Sequence, residues 1–176
     1  MLLMSLMLIC TDLFAQGNFA TSKISIGFAM GFPTGIAAKT YIHGYGSSIQ
    51  GEYNVSTALN LTGSAGYINF RYREDVIRQL DYIGEETSVS GVVPIKIGAK
   101  YYFEGIYYAS AEMGIVNSLG KLHDRSLSYG STLGVHLPFF ENYGADLGLR
   151  YEVWNGKTER MPFFGMRAAL AINLAK

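Results

Sequence analysis

The chain has 176 residues, which allows one domain. Charged residues make up only 16% of it, and Lys+Arg 14 balances Asp+Glu 14, so nothing in the charge points to nucleic acid. An ordinary soluble domain carries roughly 25% charge. Beyond the N-terminal segment there is no apolar run of about 18 residues, so no transmembrane helix is expected in the body of the chain.

The chain begins with a different material. Met1–Ile9 is apolar apart from Ser5 and leads into Cys10-Thr11-Asp12-Leu13-Phe14-Ala15-Gln16. A short apolar stretch closed by a small residue reads as a secretory signal peptide over residues 1–15, cut before Gln16, with the working domain over 16–176. The Lys or Arg usual ahead of the apolar stretch is missing, which leaves room for a start further upstream. Cys10 is the only cysteine. Leu8-Ile9-Cys10 offers a lipoprotein reading as the alternative, but Ile9 suits a lipidated cysteine poorly. Cleavage after Ala15 leaves a chain with no disulfide and no thiolate metal site.

From about residue 22 onward, segments of roughly ten residues alternate large-apolar with small-or-polar side chains, the signature of transmembrane barrel strands. Eight are expected: Ser22–Gly31, Gly44–Tyr53, Ala58–Phe70, Gly91–Phe103, Tyr107–Val116, Ser126–Leu137, Gly144–Trp154 and Pro162–Leu174. The last is the clearest. Phe164, Met166, Ala168, Leu170, Ile172 and Leu174 share one face, while Phe163, Gly165, Arg167, Ala169, Ala171 and Asn173 share the other. None of the positions assigned to the oily faces carries a charge, as expected of a surface turned to lipid, where Lys or Arg costs about 2–4 kcal/mol at mid-membrane. The fold class read from this pattern is all-β, an eight-stranded antiparallel up-and-down transmembrane β-barrel.

Connections alternate in length. Asn54–Thr57, Glu104–Ile106 and Pro138–Tyr143 are short, whereas Phe32–His43, Arg71–Ser90, Asn117–Arg125 and Asn155–Met161 are longer. Outer-membrane barrels have short periplasmic turns and longer external loops, so this pattern orients the barrel. Aromatics gather at both strand ends: Tyr45, Tyr67, Tyr129, Tyr151 and Phe164 near the long loops, Tyr53, Tyr101, Phe103 and Tyr107 near the short turns. Two interfacial girdles follow.

The small-and-polar face collects Lys23, Glu52, Lys96, Lys100, Glu112, Asp146, Arg150, Glu152 and Arg167. An eight-stranded barrel is just wide enough to be filled by side chains, and charges enclosed there must pair. These residues are expected to form an ion-pair network that plugs the lumen. The alternative is a narrow conduit or a small-ligand pocket lined by the same groups.

Signals for catalysis are weak. His43 and His123 lie in long loops or at their edges and His136 faces inward near a short turn, while His123-Asp124-Arg125-Ser126 has the residue types of a nucleophilic site without its geometry. Ser126 also falls on the inward parity, whereas lipid-modifying barrels use outward-facing groups. No catalytic residue, no cofactor site and no metal site is expected. The loop Arg71–Ser90 is the most charged connection and is read as a cap over the barrel mouth or a contact surface.

Three runs carry a family resemblance: Leu59-Asn60-Leu61-Thr62-Gly63-Ser64-Ala65-Gly66-Tyr67, Val93-Pro94-Ile95-Lys96-Ile97-Gly98-Ala99-Lys100-Tyr101-Tyr102-Phe103, and Asp146-Leu147-Gly148-Leu149-Arg150-Tyr151-Glu152. They resemble the small "outer membrane protein beta-barrel domain" proteins of Gram-negative bacteria, similar in form to OmpA/OmpX-type barrels. The resemblance implies the outer membrane, lipid and the assembly machinery as partners, and no shared catalytic residues. The residues themselves are read as a non-enzymatic barrel, with the loops available to an unidentified external partner and the barrel expected to be a monomer, and a lipid-modifying enzyme is the further alternative. The chain departs from the pattern at its end, Asn173-Leu174-Ala175-Lys176, where such barrels commonly place an aromatic residue.

Overall fold

The computed structural model describes residues 20–82, 89–119, 125–140, 142–156 and 160–174. The signal peptide expected over 1–15, and His123, lie outside the described residues. The strands are β1 (Lys23–Pro33), β2 (Tyr41–Asn54), β3 (Leu59–Tyr72), β4 (Val89–Phe103), β5 (Tyr107–Ser118), β6 (Arg125–Phe140), β7 (Tyr143–Asn155) and β8 (Arg160–Asn173). Each pairs antiparallel with its sequence neighbour, and β1 pairs with β8, from Lys23 opposite Asn173 to Pro33 opposite Phe163, which closes the barrel. Closure leaves no edge strand, which a bilayer would not tolerate.

Side-chain alternation sets the two surfaces. Ile26, Leu133, Leu149 and Ile97 are 62%, 65%, 62% and 67% exposed on the outside, while Lys23, Lys100 and Asp146 are 1%, 2% and 0% exposed within. A water-soluble barrel would invert this arrangement. The outer face is therefore an apolar belt, and its chemistry is that of a lipid-facing wall. Tyr45, Tyr67, Tyr129, Tyr151 and Phe164 stand exposed near the long-loop end, and Tyr53 and Tyr107 near the short-turn end.

Differences from the sequence reading concentrate at the long-loop end. All eight strands extend there beyond their expected bounds, because the backbone ladder continues where the apolar alternation has stopped, and β6 also runs on at its short-turn end to Phe140. The expected loop Phe32–His43 holds the short helix α1 (Ala37–Thr40), and the expected loop Arg71–Ser90 holds α2 (Glu74–Tyr82). Glu74 and Asp75 occupy the first turn of α2, where the exposed N–H groups favour acids. Strand extension also puts Arg71, Arg125 and Arg160, which the sequence reading left in loops, on the outward parity, while the positions assigned to the oily faces remain uncharged. Val153 is outward in parity yet only 2% exposed. At the short-turn end, the turn between β4 and β5 is made by Glu104 (φ 49) and Gly105 (φ 80), both in the left-handed region.

Candidate functional site

The lumen is the only place where buried polar chemistry accumulates among the described residues. It has three layers along the barrel axis.

The layer nearest the short turns is built on Lys100. β4 projects its ammonium inward, and Lys100 Nζ lies 2.7 Å from Glu52 Oε1 and 3.3 Å from Asp146 Oδ2. The other oxygen of Glu52 accepts from Tyr102 OH at 2.9 Å and from Asn60 Nδ2 at 2.9 Å. His136 Nδ1 meets Asp146 Oδ1 at 2.8 Å. Lys100 Nζ sits 3.8 Å from the Tyr108 ring centroid, and Lys23 Nζ sits 4.7 Å from that of Tyr102. A cation over a ring face gains from its negative quadrupole, which partly replaces the lost hydration.

The middle layer is built on Glu152. Lys96 Nζ bridges Glu152 Oε2 at 3.0 Å and Glu112 Oε2 at 3.2 Å. Arg150 Nη1 donates to Glu152 Oε2 at 3.0 Å, and Ser128 Oγ and Trp154 Nε1 donate to Oε1 at 2.8 and 2.6 Å. Gln50 Nε2 donates to Glu112 at 3.0 Å. Arg167 stands apart from the carboxylates. Its Nε donates to Ser48 Oγ and its Nη2 to Ser25 Oγ, both at 3.0 Å.

The layer nearest the long loops is apolar and comes from Phe70, Trp154 and Phe163, with Ile68, Val92 and Val116 beside them. The three rings meet edge to face, with centroids 5.4 Å apart for Phe70–Trp154, 5.7 Å for Phe70–Phe163 and 5.1 Å for Trp154–Phe163. The adjacent strand β2 leaves room for them with a glycine, Gly44, the register partner of Phe70. A Cβ at Gly44 would lie 2.6 Å from the Phe70 ring. The sequence reading described the inner face as small and polar with Phe163 among its positions, and it did not bring Phe70, Trp154 and Phe163 together as an aromatic layer. Its signal was present in strand parity, since Phe70, Trp154 and Phe163 fall on the inward set.

The structure thus brings Lys96, Glu112, Arg150 and Glu152 into one cluster and Glu52, Lys100 and Asp146 into another. Lys23 and Arg167 face the same lumen but have no carboxylate within ion-pair distance among the described residues. Sequence reasoning missed the hydrogen-bonding partners Tyr102, Ser128 and Trp154, and it read His136 only as inward-facing. Among the described residues there is no group of acidic, histidine or cysteine side chains able to hold a metal ion. Ser126 lies at the long-loop end of β6, and His43 lies on β2, two strands from β4 around the wall.

No family model matches the chain, and no curated protein sequence matches it. Solved structures do. Neisserial surface protein A superposes with a TM-score of 0.66 at 16% identity, covering 88% of this chain and 98% of that one. Ail, the attachment invasion locus protein of Yersinia pestis, gives 0.59 at 16% identity, covering 86% and 97%. The outer membrane protein AlkL gives 0.54 at 12% identity, covering 92% and 94%. At these identities the likeness is one of fold. Together with the apolar outer belt and the buried ionic interior of this chain, it gives the protein the fold of the eight-stranded outer-membrane β-barrels.

Proposed function

We propose that the protein is a non-enzymatic outer-membrane barrel whose lumen is closed by its own side chains, and that it acts through the structure at its long-loop end. The supporting observation is the layered filling of the lumen. Two ionic clusters occupy the short-turn end and the middle, and the Phe70–Trp154–Phe163 stack closes the end towards the long loops. Buried ion pairs of this kind are fixed in place, because separating them leaves an uncompensated charge. A conduit for small solutes needs a continuous wet path, and the aromatic layer interrupts one.

With the lumen filled, the surfaces left for contact are the outer wall and the long-loop end. α2 presents exposed Asp75, Arg78 and Tyr82 there, and Arg73 stands exposed in the link from β3. That end is assigned to the cell exterior on the pattern of long and short connections. Liposome swelling tests the reading. Vesicles carrying the refolded protein should be as impermeable to small sugars and amino acids as empty vesicles. Swelling on solute addition at a rate that scales with protein content would replace the closed barrel with a channel.

A further inference from the structure

The charged residues on the outward parity are Arg71 on β3, Arg125 on β6 and Arg160 on β8, all exposed and all at the long-loop ends. Outward positions at the short-turn ends, such as Ile24, Tyr53, Leu61, Tyr107, Leu137, Tyr143 and Ile172, carry no cation. A charge on this parity stands on the outer wall and not in the lumen, and here it lies at the edge of the apolar belt, beyond the exposed rings of Tyr129, Tyr151 and Phe164.

Arg125 and Arg160 belong to one patch. Asn155 on β7 pairs with Arg160 on one side and Leu127 on the other, and Arg125 is the next outward position beyond Leu127. Arg160 Nη2 donates to Tyr129 OH at 3.2 Å. Tyr129 and Pro162 flank Val153 in register, so this hydrogen bond spans β7 above Val153 and accounts for that residue being 2% exposed. The guanidinium group is therefore held by the wall. Neither Arg125 nor Arg160 has a carboxylate within ion-pair distance among the described residues. Directly below the patch, towards the middle of the membrane, the same strands present exposed Leu133, Leu149 and Met166.

We propose that the outer wall of β6–β8 at the long-loop end binds a phosphate-bearing lipid of the external leaflet, with Arg125 and Arg160 on the phosphate and the leucine-rich wall below along the acyl chains. The planar guanidinium fork matches phosphate oxygens in a way an ammonium does not. The apolar wall beneath selects an amphiphile over a free anion. The inference rests on the membrane placement and orientation given above and is independent of whether the lumen is closed.

The test uses refolded protein in phosphatidylcholine bilayers containing a minor fraction of phosphatidic acid, a lipid phosphate monoester. Electron spin resonance of spin-labelled lipids reads the fraction held at the protein surface. The wild type should retain phosphatidic acid over phosphatidylcholine, by about fivefold for each arginine at low salt. The Arg125→Gln/Arg160→Gln double variant should lose that preference, Arg125→Gln alone should lose part of it, and Arg78→Gln on α2 should keep it. Arg125 has no partner in the fold among the described residues, so its single variant keeps the test valid if the double variant does not refold. Equal retention of the two lipids by the wild type, or undiminished preference in both Arg125 variants, would overturn the site. Displacement of phosphatidic acid by inorganic phosphate would show a free-anion site and overturn the lipid assignment. Absence of any immobilised lipid would instead overturn the membrane placement itself.

Discussion

Glu152 accepts from Lys96, Arg150, Ser128 and Trp154, so one carboxylate ties three strands and joins the ionic cluster to the aromatic layer. Its removal should be expensive. Glu152→Ala leaves Lys96 and Arg150 enclosed with too little counter-charge, a loss of about 3–5 kcal/mol when burial is complete. Leu149→Ala, three residues away on the same strand but 62% exposed on the outer wall, should cost much less, because lipid chains replace the lost contact. Urea unfolding of the refolded barrel in lipid vesicles measures both. Equal losses would mean that Glu152 is hydrated and not part of a packed lumen. Alternation along β4 is enough to place Lys96 and Lys100 on one face from sequence. It does not say that Lys96 reaches Glu152 while Lys100 reaches Glu52, because those choices depend on side-chain reach across the barrel. Phe70, Trp154 and Phe163 were harder still, since an apolar residue on the inward parity reads as a break in the pattern rather than as a layer.

At the scale of strands, register is governed by how closely backbones approach, and glycine marks the tight places. A Cβ on Gly46 would collide with the carbonyl oxygen of Tyr67 on the neighbouring strand, whereas one on Gly63 would meet nothing within 4 Å. Gly46→Ala should therefore impair folding of the barrel and Gly63→Ala should not, as judged by the yield of the compact band on unheated gels. Comparable yields would show that the β2–β3 pairing is looser than described. Strand existence and order were legible because each strand carries its own period-two pattern, as in Leu147, Leu149 and Tyr151 of β7. The upper strand ends were not. Past Phe70, Val116 and Tyr45 the pattern fades into Arg71, Asn117 and His43, yet the ladder continues, since hydrogen bonding between strands does not require apolar side chains.

At the scale of the whole molecule, connection length sets orientation. α2 lies in a long connection, and Gly105 lies in a short turn. A cysteine placed at Arg78 should react with a membrane-impermeant thiol reagent on intact cells, and one placed at Gly105 should not. The reverse pattern would turn the barrel over and move the arginine patch to the inner leaflet. The central claim is a membrane barrel closed by its own side chains, and planar-bilayer recording tests it most directly. Refolded wild-type protein inserted into a bilayer under an applied voltage should give no steady current step. A stable, ohmic single-channel conductance would contradict the account, because the ionic clusters and the Phe70–Trp154–Phe163 layer would then have to line a water-filled path rather than fill it.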